Sequence, residues 1–259
     1  MRQNERLEAL GEIADDQRGH VTTAQAERVA VSRVEIGRLA SRGLLERVTH
    51  GVYRLLGSGY DPNSAVRAAW LALEPRRTAA ERLGDPAGIV VSHASAAALH
   101  QLGDLGGDIL EFTADRRLQT TRDGVRTHRG AVTPGDVTIV DGLPTTTALR
   151  TIADLVDDGH DGEHVGAVIV DAVRRGTVSL HDVELRLATY AARRGHAKGD
   201  GAALLDDLLG FAGMDRASLR NELLRMLDSM VRSDSGLEVT DLVHVTDLLR
   251  KLERVDHGR

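Results

Sequence analysis

The chain has 259 residues, with 33 Lys+Arg against 39 Asp+Glu and a net charge of −6. It holds no cysteine, which excludes a disulfide scaffold, a Cys-ligated zinc site and a thiol nucleophile. Six scattered aromatic residues argue against a base-stacking single-strand binder, and a hydrophobic fraction of 41% excludes a disordered chain.

The first twenty residues lack an apolar stretch, and no segment reaches the roughly 20 apolar residues of a membrane span. A cytoplasmic protein without a leader is therefore expected. Leu7, Leu10 and Ile13 fall at helical spacing and predict a first helix ending near Gly19. A second short helix opens around Val21–Ala26, with Thr22 as its N-cap. Ala30 and Val31 turn the chain. Ser32 caps a third helix that runs to about Arg42, and Gly43 takes the position just beyond its end. Leu44–Val48 and Val52–Leu56 read as strands joined through Thr49-His50-Gly51. Three helices followed by a hairpin is the order of a winged helix-turn-helix, expected over residues 1–57.

Gly57-Ser58-Gly59 reads as a linker. A mixed α/β domain is expected over 58–200, opening on a helix that carries Val66, Ala69, Trp70 and Leu73 on one side. Strands are predicted at Ile89–Val91, Ile109–Thr113, Val125–His128 and Val137–Val140. An alanine-rich helix follows Ser92, and further helices are predicted at Thr146–Val156, 163–174, 180–191 and 202–212. A helical segment closes the chain over 201–259, with apolar positions at Leu219, Leu223, Leu227 and Met230, then at Leu242, Val245, Leu248, Leu249 and Leu252. The fold class is α+β: a winged helix-turn-helix, a mixed α/β domain and a helical C-terminal tail.

On the third helix, at about 100° per residue, Ile36, Leu39 and Ala40 share one side. Arg38, Ser41 and Arg42 lie opposite, with Val34 among them and Arg33 on the flank. A recognition helix needs this arrangement, one face anchored and the other open to the major groove. The arginine fork can bond guanine O6 and N7 or clamp phosphate. Arg33, Arg38, Ser41 and Arg42 are thus the expected groove contacts. The helix N-terminus at Ser32 can receive a phosphate. Thr22, Thr23 and Gln25 are expected at phosphates from the preceding helix. Arg47, His50 and Arg54 are assigned to the wing. Between Arg18 and Arg54 stand seven arginines and three glutamates, a local charge of +4. The acid excess lies elsewhere, so the net charge does not veto DNA.

These same residues carry a family resemblance. Val21-Thr22-Thr23-Ala24-Gln25, Val31-Ser32-Arg33, the run Arg38–Val48 and Gly51-Val52-Tyr53-Arg54 resemble the N-terminal domain of AbiEi-family antitoxins. Ser92-His93-Ala94-Ser95-Ala96-Ala97 with Leu99-His100, Gly142–Thr147 with Arg150–Leu155, and Asp171–Gly176 resemble the longer form of the same group. The resemblance spans roughly residues 18–195. It implies a transcriptional repressor of type IV toxin–antitoxin systems, in which a winged helix-turn-helix binds operator DNA of its own operon. It also implies a C-terminal domain that counters a cognate nucleotidyltransferase-like toxin and helps in DNA binding. A solitary winged-helix regulator without a toxin is the alternative, and self-association on DNA is open.

A second basic stretch holds Arg116, Arg117, Arg122, Arg126 and Arg129 against Asp123 alone. It has three readings: an extended phosphate footprint, a surface for an acidic protein patch, or a solvated hairpin. Enzymatic readings fare worse. His93 and His100 share a helix face, but a packing His93 beside a capping Ser92 is the favoured reading over catalysis. The acid- and His-rich run 157–164 reads as an interhelical loop rather than a metal site. A nuclease site wants an acid-x-Lys pattern, and neither Lys198 nor Lys251 stands in one. A phosphate loop, a nucleophile elbow and a nucleotidyltransferase signature are not found. The expectation is no catalytic residue, no cofactor, no metal and no membrane partner.

Overall fold

The computed structural model describes residues 3–232 apart from 84, 86, 87 and 106. The protein is mixed α+β and its backbone forms two compact units, one of residues 1–95 with 107–145 and the other of 96–106 with 146–259.

The first unit begins with α1 (Gln3–Asp15), β1 (His20–Thr22), α2 (Thr23–Arg28), α3 (Arg33–Ser41), β2 (Leu45–Thr49) and β3 (Val52–Leu55). Local chemistry fixes the two short helices. Thr22 and Ser32 each accept a hydrogen bond from the backbone three residues on, and the side chains of Gln25 and Glu35 reach back to the cap backbone. Ala30 turns the chain between them at φ 58°. Gly43, at φ 70°, ends α3: its N–H bonds Ala40 O and the Leu44 N–H bonds Leu39 O, both at 3.0 Å. Leu10, Val21, Ala26, Val31, Ile36, Leu39 and Leu45 form the core beneath these elements. The strands make an antiparallel sheet in the order β1-β3-β2, with His20 opposite Arg54 and Leu45 opposite Leu55.

The same unit continues through α4 (Ser64–Leu73), α5 (Ala79–Leu83), β4 (Val90–Val91), β5 (Leu110–Ala114), β6 (Val125–Arg129), β7 (Val137–Val140) and β8 (Leu143–Thr146). The last five strands form one sheet in the order β6-β5-β4-β8-β7. The β4–β5 pair is antiparallel, whereas β5–β6 and β4–β8 are parallel. Ala68 and Ala72 of α4 pack on Val52 of β3. Trp70 is buried; its indole N–H bonds Ile89 O at 2.7 Å, and the Arg82 guanidinium stacks 3.6 Å from its ring. Burial brings the Arg82 guanidinium down to about 9.

α6 (His93–Leu99) leads from the first unit into the second. There follow α7 (Ala148–Asp157), α8 (Gly162–Arg174), α9 (Leu180–Leu187), α10 (Gly201–Phe211) and α11 (Arg216–Arg232). Ile152, Leu155, Val165, Ile169, Val183, Leu187, Leu204, Leu205 and Leu208 fill their core, joined by Leu219 and Leu223. α8 and α10 approach closely because Gly166 lacks a side chain: a Cβ there would stand 2.1 Å from Leu208 O. The second apolar series of the tail, Leu242 to Leu252, lies outside the described residues. Among the described residues no helix is long and apolar enough to cross a membrane.

Candidate nucleic-acid interface

The burial of α3 divides along its length. Ile36 is 0% and Leu39 5% exposed, while Arg33, Gly37, Arg38, Ser41 and Arg42 are all exposed, and Val34 is 63% exposed. The apolar stripe therefore anchors the helix and the arginine stripe faces solvent. Ser41 Oγ donates to Arg38 O at 2.9 Å, which holds it against its own helix. Ser32 is exposed, and its hydroxyl lies 2.9 Å from Glu35 Oε2. Hydrogen bonds from Ser32, together with the nearby Arg6 and Arg38 charges, keep the Glu35 carboxyl below its ordinary value. A carboxylate thus already occupies the start of α3, where the sequence places a phosphate.

Thr22, Thr23 and Gln25 do not stand where the sequence puts them. They are 0%, 8% and 0% exposed. Gln25 donates to Arg77 O at 2.8 Å and exchanges bonds with Gln17, Thr22 Oγ1 donates to Pro75 O, and Thr23 Oγ1 donates to Gly51 O at 3.3 Å. The chain between α4 and α5 covers the beginning of α2. These three side chains serve the interior of the unit rather than a phosphate.

The local charge is also smaller than the count along the chain. Arg18 pairs with Asp141, Arg28 grips Glu81 at 2.9 and 3.0 Å, and Arg54 lies 3.8 Å from Glu46. The Arg28 fork and the Thr78 N–H bring the Glu81 carboxyl down to about 2. Arg54, with its side chain 18% exposed, is largely withdrawn from the surface. Arg47 and His50 are exposed at the β2–β3 turn, where Arg47 Nη2 donates to His50 Nδ1 at 3.0 Å. Beyond those three pairs, the exposed arginines of this segment are Arg33, Arg38, Arg42 and Arg47.

The second basic stretch reaches the same turn. Arg122 Nη1 donates to His50 O at 2.9 Å across 72 residues of sequence. A cleft of about 600 Å3 lies there, lined by Thr49, His50, Gln119, Thr120, Thr121 and Arg122 among others. Nothing in the residue spacing signals that approach. Arg117 and Arg129 are exposed, whereas Arg116 pairs with Glu74 and Arg126 lies 3.6 Å from Glu111.

The Ser92-His93 motif is interior. Ser92 Oγ accepts from Thr113 Oγ1 at 2.8 Å and lies 2.9 Å from His93 Nδ1. His93 stacks on His128 at 3.6 Å. The expected cap of α6, Ser92, is replaced by Glu111, which accepts from the Ala94 N–H at 3.0 Å. Hydrogen bonds from His128 and Ala94 hold the Glu111 carboxyl below its ordinary value, against the opposing effect of burial.

Comparison with known proteins adds three findings. The crystal structure of the RV2827C protein from Mycobacterium tuberculosis is similar at a TM-score of 0.48 and 17% identity, over 86% of this chain and 82% of that one. No curated protein matches the chain. Residues 8–56 match the family described as "Transcriptional regulator, AbiEi antitoxin". Residues 8–56, which lie between α1 and the end of β3, are thus similar to the AbiEi antitoxin regulators, the family that the sequence resembles.

Proposed function

We propose that the chain is a DNA-binding antitoxin and autorepressor that binds operator DNA of its own operon and counteracts a nucleotidyltransferase-like toxin. In this reading residues 1–57 act as a winged helix-turn-helix, α2 and α3 being the helix pair and β2–β3 the wing. The observation that carries it is the exposed arginine face of α3 opposite buried Ile36 and Leu39. Arg33, Arg38 and Arg42 enter the major groove with Ser41, and Arg47 and His50 follow the adjoining backbone. Arg122, bonded to the wing turn, and Arg117 continue the phosphate track, which favours the footprint reading of the second basic stretch. The residues do their work by binding, with no catalytic step.

The toxin half of the proposal rests on the family resemblance and is tested by co-expression. Expressing the adjacent open reading frame alone should arrest growth, and adding this chain should restore it. A neighbour that is harmless alone identifies a solitary regulator instead. The DNA half is tested by gel shift on the duplex upstream of its own gene. A shift that survives Arg38→Ala with Arg42→Ala would remove the α3 assignment.

A further inference from the structure

Two features of α3 serve no purpose inside the protein. Val34 is 63% exposed, an apolar side chain in a row of arginines. Gly37 stands in the interior of the helix, where glycine is less stable than alanine. A Cβ at Gly37 would meet nothing within 4 Å, and its φ is not positive, so neither packing nor backbone conformation demands glycine. Helical geometry brings the two together. At about 100° per residue, Val34, Gly37, Arg38 and Ser41 lie within about 100° of arc, opposite Ile36 and Leu39. The middle of the exposed face is therefore one isopropyl group beside a bare stretch of backbone, flanked by guanidinium groups.

That combination has a counterpart in the major groove. Thymine presents a C5-methyl group there, the one apolar knob among the base edges. Resting on the proposed DNA-binding function, we infer that Val34 packs on a thymine methyl while Gly37 lets the groove wall approach the helix backbone. Val34 and Gly37 are then specificity-determining residues, and the site contains a thymine flanked by bases or phosphates that Arg33 and Arg38 hold.

The test uses the full chain and duplexes enriched by it from a randomised pool. Each thymine of the enriched site is replaced in turn by uracil, which removes only the methyl group. At one position affinity should fall about fourfold, the factor expected for losing one buried methyl-sized group. Val34→Ala should bind both duplexes alike. Gly37→Ala should melt at a higher temperature than the wild type yet bind at least about tenfold more weakly; a purely internal role does not give these opposite signs. Indifference of the wild type to every thymine-to-uracil change overturns the inference, as does undiminished binding by Gly37→Ala. Both results leave DNA binding itself standing. Failure to enrich any duplex overturns the underlying function and the inference with it.

Discussion

At the scale of single residues, the buried polar groups separate structure from recognition. Gln25 and Thr22 have the residue types that bind phosphate, but their bonds to Gln17, Pro75 and Arg77 leave them inside. Gln25→Ala would strand several of those partners, at a cost of about 1–3 kcal/mol. The expected outcome is a lower melting temperature with an unchanged salt dependence of DNA binding, checked by thermal denaturation and fluorescence anisotropy. His20 behaves differently. It is fully buried, lies 2.7 Å from Ser64 Oγ and 3.9 Å from Asp61, and has Arg67 nearby. Burial holds its imidazole below the ordinary 6.5, against the opposing effect of Gln17 O and Asp61. The unfolded chain therefore takes up a proton below about pH 6.5 that the folded one refuses until lower pH. Stability from this group is complete above that pH and declines as pH falls. His20→Gln should show a smaller drop in melting temperature between about pH 7.5 and 5.5 than the wild type. An equal drop would rule out this role for His20.

At the scale of elements, the longer helices and most of the strands are legible in the sequence, whereas β1, β8 and α5 are not. α3 follows from Ser32, Ile36, Leu39 and Gly43, each of which acts locally. β1 cannot be read that way: its three residues are a strand only because His20, Val21 and Thr22 pair with Arg54, Tyr53 and Val52. β8 is hidden because Gly142-Leu143-Pro144 reads as the lead-in to the helix expected from Thr146; its pairing with β4 is made at Thr145, past the proline. α5, at five residues, lacks the length for a periodic signal. The exposed face of α3 is legible because periodicity alone sorts its residues. The covering of α2 is not, because it depends on a segment some fifty residues away. Close packing of helices gives a prediction at this scale. Gly166→Ala would drive a methyl group into Leu208 O and force α8 from α10. A loss of about 1–3 kcal/mol is expected, measured by chemical denaturation. A neutral result would show that the two helices separate without cost.

For the whole molecule, charge is the property that sequence and structure describe differently. The net charge of −6 hides an arginine-rich front, and within that front three arginines are paired with Asp141, Glu81 and Glu46. Outside those three pairs, the row Arg33, Arg38, Arg42 and Arg47 faces solvent, with Arg122 added by the chain's own folding. Gly57-Ser58-Gly59 marks a turn in composition, yet Arg18 meets Asp141 and His20 meets Ser64 across it. Arg117→Glu with Arg122→Glu should weaken DNA binding and lower the salt slope by about 1 for each phosphate that is no longer neutralised. An unchanged slope would return the second basic stretch to a solvated loop or a protein-binding surface.

The central claim is that the exposed face of α3 binds DNA, and the most direct measurement is affinity for the upstream duplex across a salt series. Wild type and the Arg38→Ala, Arg42→Ala double variant would be compared. The variant, which should remain folded since both side chains are exposed, should bind at least about tenfold more weakly and with a shallower salt dependence. Equal affinity and equal slope, with both proteins folded, would contradict the claim.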